Sequence, residues 1–126
     1  MKSSSQANNE VLIIDDEVDI CFLLSGMLKK RNFHPAYVTT LKAAEKAIER
    51  INPSILFIDN RLPDGLGVDF IPGFKKEHPL TKVIMITAHD NNADREKAFL
   101  NGADYFIGKP FTGDMINKTV DAATHS

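Results

Sequence analysis

The sequence predicts an α/β protein with a doubly wound, five-stranded parallel sheet and helices on both faces. Three observations lead to this prediction. Short apolar runs alternate five times with longer segments of helical periodicity. Most of these runs are almost wholly apolar, which is typical of parallel strands buried on both faces. The segments between them are long enough for the crossovers that parallel strands require.

Each element follows from a local pattern. The predicted strands cover 11–14, 34–38, 55–59, 83–87 and 105–107, and the predicted helices about 17–30, 41–51, 67–77, 92–101 and 112–123. Pro35 makes the second strand weak and places it at an edge of the sheet. Asp16 or Glu17 can cap the first helix, Thr39 or Thr40 the second, and Thr112 the fifth. Asn52-Pro53 and Asn101-Gly102 are stop signals.

The third helix contains an anomaly. Pro72-Gly73 falls inside it, although proline is tolerated only in the first helical turn and an interior glycine costs about 1 kcal/mol relative to alanine. We therefore expect a short, late-starting or kinked helix. The segment 61–67 before it is dense in turn residues and is predicted to be a loop.

Size and composition indicate one domain of an ordinary globular protein. The chain has 126 residues, enough for one domain with its own core. We predict a disordered tail over 1–9, a folded domain over 10–123 and a short tail over 124–126. A net charge of −2 argues against a nucleic-acid surface, and no apolar stretch is long enough to cross a bilayer. Cys21 is the only cysteine and is expected to be a buried thiol. We expect a cytoplasmic, stand-alone domain, because the first residues are too polar for a secretory signal and no further segment follows.

Polar residues with complementary chemistry follow four of the strands. Asp15-Asp16 follow the first strand, Asp59 ends the third, Thr87 ends the fourth and Lys109 follows the fifth. Carboxyl ends of parallel strands share one edge of the sheet, where ligands bind. Clustered carboxylates repel one another, and a hard cation such as Mg²⁺ relieves that repulsion. The sequence thus predicts a phosphoryl-transfer site with a carboxylate nucleophile, a metal, a hydroxyl donor and a stabilising cation.

The individual signals differ in strength. Asp15-Asp16 taken alone can equally be a helix cap and a solvated acid, and a threonine after a strand usually caps the next segment. Asp59 ends a strand that should be buried on both sides, with no local partner, so a functional role is favoured. Lys109 is held between Gly108 and Pro110, and its compact charge suits a phosphoryl oxygen or a carboxylate.

The ordered set of these motifs resembles the receiver domain of two-component response regulators, over roughly residues 10–123. The resemblance rests on four motifs in order: Asp15-Asp16, Asp59-x-x-Leu62-Pro63 with Gly67, Thr87-Ala88, and Gly102-Ala103-Asp104 followed by Lys109-Pro110-Phe111. It implies the flavodoxin-like (βα)5 fold with strand order 2-1-3-4-5. It also implies a cis peptide bond between Lys109 and Pro110.

The resemblance further implies a role for each site residue. Asp59 would accept a phosphoryl group from a histidine kinase or a histidine phosphotransfer protein. Asp16 and Asp59 would bind Mg²⁺, or alternatively Mn²⁺, directly, with Asp15 acting through water and Arg61 contributing its backbone carbonyl. Thr87 and Lys109 would hold the phosphoryl oxygens.

The family's switch would couple Thr87 to Phe106, which lies three residues before Lys109. The signal would then reach a partner protein through the face formed by the fourth helix, fifth strand and fifth helix. Phe106 stands where many relatives have tyrosine. Arg61 and His89 flank the site and are expected to set the lifetime of the acyl phosphate.

Two other function classes compete with this interpretation. A phosphorylation-independent interaction module with this fold is the alternative, but the presence of every site residue argues against it. A phosphatase of the haloacid dehalogenase type needs a second aspartate two residues after the nucleophile, where this chain has Arg61. We therefore expect a signalling protein that catalyses only its own phosphorylation and dephosphorylation, as a monomer or a phosphorylation-dependent dimer. Its kinase and its downstream target are not evident from the sequence.

Overall fold

A computed structural model describes residues 8–89 and 91–125. The strands are β1 (Glu10–Ile14), β2 (His34–Val38), β3 (Ile55–Asp59), β4 (Arg61–Leu62), β5 (Gly65–Leu66), β6 (Lys82–Thr87) and β7 (Tyr105–Gly108). The helices are α1 (Val18–Lys29), α2 (Leu41–Ile51), α3 (Gly67–Glu77), α4 (Asn92–Leu100) and α5 (Gly113–Thr124). None of the helices described is long and apolar enough to span a bilayer.

Five strands form one parallel sheet in the order β2-β1-β3-β6-β7. This order is the predicted 2-1-3-4-5 once the short strands β4 and β5 are left out, and it confirms the flavodoxin-like fold. β2 lies at one edge of the sheet, as predicted, with β1 as its only neighbour among the described strands. Pro35, which has no N–H, is tolerated there because no second strand requires a hydrogen bond from it.

The two faces of the sheet bury two separate cores, because successive strand residues point to opposite sides. Leu56 and Ile58 of β3 pack on the face covered by α2, α3 and α4. Ile55 and Phe57 pack on the face covered by α1 and α5. Cys21 of α1 belongs to the second core, as expected, and burial raises the pKa of its thiol to about 11. Helices on both faces are therefore confirmed.

Most of the predicted helix signals act as expected. Thr40 Oγ1 accepts a hydrogen bond from the Ala43 N–H, and Thr112 Oγ1 accepts one from the Met115 N–H, both at 3.1 Å. Asn52 ends α2 in the left-handed conformation, with φ of 49°. The first helix differs: neither Asp16 nor Glu17 caps it with a side chain, and Asp15 Oδ1 instead accepts from the Glu17 N–H.

Two of the three alternatives expected for α3, a short helix and a late start, are wrong, while a kink at Pro72 stays a prediction. The helix begins at Gly67 and has 11 residues, as many as α2, with Pro72 inside it. Proline has no N–H to donate to the carbonyl four residues earlier, which is that of Val68. Asn101, at the end of α4, supplies the missing donor: its Nδ2 lies 2.8 Å from the Val68 oxygen. A side chain distant in sequence thus allows the helix to continue through proline.

The predicted loop over 61–67 contains a small antiparallel hairpin, in which β4 pairs with β5. Asp64 in its turn accepts hydrogen bonds from the Leu41 and Lys42 N–H groups, at 2.9 and 3.0 Å. These two bonds lower the pKa of Asp64 and cap the first turn of α2. The hairpin is therefore tied to α2 as well as to β3.

The predicted domain limits differ slightly from the structure. Of the predicted tail over 1–9, only Asn8 and Asn9 lie within the described residues, and both are bonded to the fold. Asn8 Nδ2 donates to the Asn52 carbonyl, and the Asn9 carbonyl accepts from the His34 N–H. Thr124 is the last residue of α5 and not part of a tail. The folded region thus extends slightly beyond 10–123 at both ends.

Candidate functional site

The candidate site lies at the edge of the sheet where the parallel strands end. Asp15 follows β1, Asp59 ends β3, Thr87 ends β6 and Lys109 follows β7. Strand register aligns these ends, since Asp59 pairs with Ile86 and the Lys109 N–H donates to the Thr87 carbonyl at 2.9 Å. The crossover connections therefore bring together side chains that are far apart in sequence.

Lys109 is the centre of the cluster. Its Nζ lies 2.7 Å from Asp15 Oδ2, 2.7 Å from Glu17 Oε1 and 3.3 Å from Asp59 Oδ2. Its side chain is only 7% exposed. Burial alone would lower the pKa of Lys109, but the surrounding carboxylates outweigh burial and hold that pKa above its ordinary value. The ammonium group therefore stays charged.

Asp15 is the most deeply buried acid of the site, with no exposed surface. Burial raises the pKa of its carboxyl above 3.8, despite the opposing effects of Lys109 and the Glu17 N–H. Asp15 Oδ2 is buried without a hydrogen bond of good geometry from the described residues, although it faces the Lys109 ammonium. The Lys109 ammonium is therefore the charge partner of this oxygen among the described residues.

The backbone around Asp59 is held by its neighbours. Asp59 Oδ1 accepts from the Asn60 N–H at 2.8 Å, while Asn60 Oδ1 accepts from the Val68 N–H at 3.0 Å. Gly67 passes so close that a Cβ there would lie 2.2 Å from the Asp59 carbonyl oxygen, so only glycine fits. The loop and the start of α3 thus hold Asp59 in place, and the residue is 6% exposed.

Thr87 ends β6 at the same edge of the sheet as the acid cluster, and Phe106 lies on the neighbouring strand β7, against α4. Thr87 is buried, and its Oγ1 accepts from the His89 N–H at 3.2 Å. The Phe106 ring is 9% exposed and packs in the core on the α4 side, with the Arg95 guanidinium 4.8 Å from its centroid and the Phe99 ring 6.4 Å away. A cation–aromatic contact of this kind stabilises the ring in this position beside α4.

The acidic side chains that come together differ from the predicted set. Asp15, Glu17 and Asp59 each offer an oxygen within 4.8 Å of the others, as a divalent cation requires. Asp16 is exposed and does not belong to this group, and the Arg61 side chain is exposed as well. Three carboxylates around one ammonium leave a formal excess of negative charge, and oxygen donors are the ligands that Mg²⁺ prefers. The residues therefore fit a hard metal ion.

Sequence reasoning missed Glu17 and Asn60. The sequence presents Glu17 only as a possible helix cap. Its contact with Lys109 is evident only from the three-dimensional structure. Asn60 follows Asp59 directly. A side-chain amide just after a buried acid at a strand end could have indicated that Asn60 helps to hold the loop around Asp59. The peptide bond between Lys109 and Pro110 is cis, in agreement with the resemblance.

Comparisons with known proteins agree with this geometry. Residues 11–121 match the family model described as the response regulator receiver domain. The nitrogen assimilation regulatory protein NtrX of Azorhizobium caulinodans is 32% identical over 110 residues, which cover 86% of this chain and 24% of that protein. The phosphate regulon transcriptional regulatory protein PhoB of Escherichia coli is 30% identical over 105 residues, or 81% of this chain and 45% of PhoB.

A solved structure shows the same likeness. The beryllofluoride-activated NtrC4 receiver domain dimer superposes with a TM-score of 0.88 at 36% identity, covering 93% of this chain and 97% of that one. By contrast, the chain spans only about a quarter to a half of the length of the curated relatives it matches. Fold, site geometry and similarity therefore agree, and this chain belongs to the receiver domain family of two-component response regulators.

Proposed function

We propose that this receiver domain is a phosphorylation-dependent switch of the cytoplasm, in which Asp59 accepts a phosphoryl group from a histidine kinase or a histidine phosphotransfer protein. The observation that carries the proposal is the Asp59 carboxylate at the end of a central strand. One oxygen is held by the Asn60 N–H and the other faces the Lys109 ammonium at 3.3 Å. Both oxygens of the carboxylate are thereby held in a defined orientation.

The reaction is a transfer of one phosphoryl group. A carboxylate oxygen of Asp59 attacks phosphorus, and the bond from phosphorus to the donor's imidazole nitrogen breaks, with its electron pair leaving on the nitrogen. Lys109 stabilises the negative charge of the phosphoryl oxygens, and the Thr87 hydroxyl donates a hydrogen bond to one of them. Positioning and charge stabilisation are the chain's contribution, since the donor supplies the activated group.

Asp15 and Asp59 are the proposed centre of a Mg²⁺ site, supported by the buried Asp15 Oδ2 that lacks a well-formed hydrogen bond. Asp16 and the Arg61 carbonyl complete the ligand set that the family resemblance implies, and the exposed Asp16 side chain has to turn inward to take part. When bound, the ion neutralises charge on the phosphoryl oxygens. Glu17 holds Lys109 at 2.7 Å, and the phosphoryl oxygens would compete with Glu17 for this ammonium.

The proposed output runs from Thr87 to Phe106. When the Thr87 hydroxyl moves toward the phosphoryl group, it vacates space that the Phe106 ring can enter. The ring then withdraws from the Arg95 guanidinium, and the face formed by α4, β7 and α5 changes shape. This is a two-state equilibrium that the new charge at Asp59 biases. A partner protein that prefers one state of this face receives the signal.

Beryllofluoride with Mg²⁺ tests the proposal, because it mimics an acyl phosphate on the acceptor carboxylate. We expect backbone amide signals at 59–61, at Thr87 and along α4 to shift in the wild-type protein. Asp59→Asn should abolish these shifts, whereas Asp69→Asn, which changes an exposed carboxylate nearby, should keep them. Identical responses of wild type and Asp59→Asn would instead favour the phosphorylation-independent interaction module.

A further inference from the structure

The anomaly in α3 leaves an open groove on the surface, away from the phosphoryl site. A depression of about 510 Å³ lies between α2 and α3, and we call it the α2–α3 groove. Its floor is apolar: Phe70 and Phe74 stack with centroids 6.1 Å apart, and Phe74 stacks on His78 at 4.9 Å. Ile48 of α2 closes the floor from the other side.

Gly73 keeps this groove open, and the fold itself does not need a glycine there. Among the described atoms nothing lies within 4 Å of a Cβ built on Gly73, so a side chain has room. Gly73 is not among the glycines with positive φ, so its backbone does not call for glycine either. An interior helical glycine costs about 1 kcal/mol relative to alanine. The chain therefore carries a destabilising residue whose visible consequence is an open space above the aromatic floor.

The walls of the groove are acidic. Glu45 and Glu49 line it from α2, while Asp69 and Glu77 line it from α3. All four are exposed, and none takes part in an ion pair or a side-chain hydrogen bond within residues 8–89 and 91–125. Glu45 and Glu49 are one helical turn apart, where like charges repel. The described lining of this groove includes no lysine or arginine.

The groove continues toward the hairpin beside Asp59. A second depression of about 540 Å³ shares Glu45, Asp69 and Phe70 with the first and extends to Asp64 and Leu66. Lys42 is the only lysine or arginine among its described lining residues. The remaining cations of the two helices lie outside both linings: Lys46, Arg50, Lys75 and Lys76. An apolar strip between two rows of carboxylates thus runs along both helices.

We propose that the α2–α3 groove is a docking surface for a cationic amphipathic helix of a partner protein. An aliphatic side chain of that helix fills the space above Gly73, and its lysines or arginines pair with the two rows of carboxylates. This is the helix-in-groove mode of recognition, with charge complementarity setting the choice of partner. Nucleic acid and anionic membranes are unsuitable occupants, because the carboxylates repel their phosphates.

A designed peptide of leucine and lysine, about 14 residues long and with leucines at helical spacing, is the probe. Its control has glutamate in place of every lysine. We expect the lysine peptide to bind the wild-type chain in fluorescence anisotropy, to weaken as salt rises, and to shift amide signals on α2 and α3. The glutamate peptide should not bind.

Two variants, each with a matched control, locate the binding. Gly73→Leu fills the groove and should weaken binding at least about tenfold. Gly26→Leu, which also has open space around its Cβ on α1, should bind as wild type. Glu45→Gln with Glu49→Gln should weaken binding about fivefold, whereas Asp19→Asn with Glu96→Gln, which removes the same charge elsewhere, should not. Circular dichroism checks that every variant is folded.

Several outcomes would overturn the proposal. It would be wrong if folded Gly73→Leu bound the lysine peptide as tightly as wild type, or if both charge variants lost the same affinity. It would also be wrong if the peptide shifted amide signals on α4 and α5 and not on α2 and α3. Binding of the wild-type chain to vesicles of anionic phospholipid would also contradict it, since the occupant would then not be a cationic helix.

Discussion

At the scale of single residues, one ammonium group organises the site. Lys109 contacts three carboxylates from two separate parts of the chain, and its own pKa rises because of them. The sequence allowed the prediction of Asp15, Asp59 and Lys109 as neighbours, because each follows a parallel strand. Glu17 was beyond that argument, because it does not directly follow a strand and its contact depends on how the chain before α1 places its side chain.

The buried acid Asp15 gives a pH prediction. Its folded pKa is raised by burial, so the folded state holds this proton more tightly than the unfolded state. Its contribution to the free energy of unfolding is therefore largest below its ordinary pKa of 3.8 and is lost as pH rises through the folded pKa. Asp15→Asn has no carboxyl group to ionise, so this loss of stability with rising pH is absent from the variant. We therefore expect the free energy of unfolding of Asp15→Asn, minus that of wild type, to rise between about pH 4 and pH 7. Urea unfolding in the presence of chelator measures it.

The control for this measurement is Asp69→Asn, which changes an exposed carboxylate. Its stability difference from wild type should stay nearly constant over the same pH range. A flat or falling difference for Asp15→Asn would contradict the description of Asp15 as an acid whose ionisation burial opposes.

At the scale of elements, α3 shows how a long-range contact decides a local question. Local rules predicted a short, late-starting or kinked helix at Pro72-Gly73. The first two alternatives failed because Asn101 bonds to the carbonyl that proline leaves without a donor. A prediction made from the residues of α3 alone, 67–77, cannot take Asn101 into account, because Asn101 lies at the end of α4. Helix ends at Thr40, Asn52 and Thr112 were predictable, since their capping partners lie within a few residues.

A double-mutant cycle tests the role of Asn101. Asn101→Ala leaves the Val68 carbonyl unpaired and should cost about 1–3 kcal/mol in the free energy of unfolding. In a Pro72→Ala background, the substituted alanine supplies an N–H to the same carbonyl, so the loss should fall below about 1 kcal/mol. Urea unfolding of the four proteins gives the coupling energy. Equal losses in both backgrounds would mean that Asn101 does not compensate for proline.

The coupling between β6, β7 and α4 gives a second prediction at this scale. Thr87→Ala keeps Asp59 and Lys109 but removes the hydroxyl, so beryllofluoride with Mg²⁺ should still shift the amide signals at 59–61. The shifts at Phe106 and along α4 should be lost. Thr119→Ala, which removes an exposed hydroxyl on α5, should keep both sets. Unchanged α4 shifts in Thr87→Ala would show that the signal takes another route.

At the scale of the whole molecule, the fold and the location of the site could be predicted, and the surfaces could not. Strand number, strand order and helices on both faces follow from alternation, apolar runs and the family resemblance. The hairpin tied to α2 through Asp64 and the acidic groove along α2 and α3 depend on which side chains meet after folding. Pro72 and Gly73 were recognisable in the sequence as unusual for a helix interior. That Gly73 leaves space in the α2–α3 groove became evident only in the structure.

The most direct test of the phosphorylation switch is phosphoryl transfer itself, measured as a change in intact mass. Incubation of the wild-type chain with acetyl phosphate and Mg²⁺ should add the mass of one phosphoryl group, and chelator should prevent it. Asp69→Asn should be modified like wild type and Asp59→Asn should remain unmodified. Modification of Asp59→Asn to the wild-type extent, or of neither protein, would contradict the assignment of Asp59 as the acceptor.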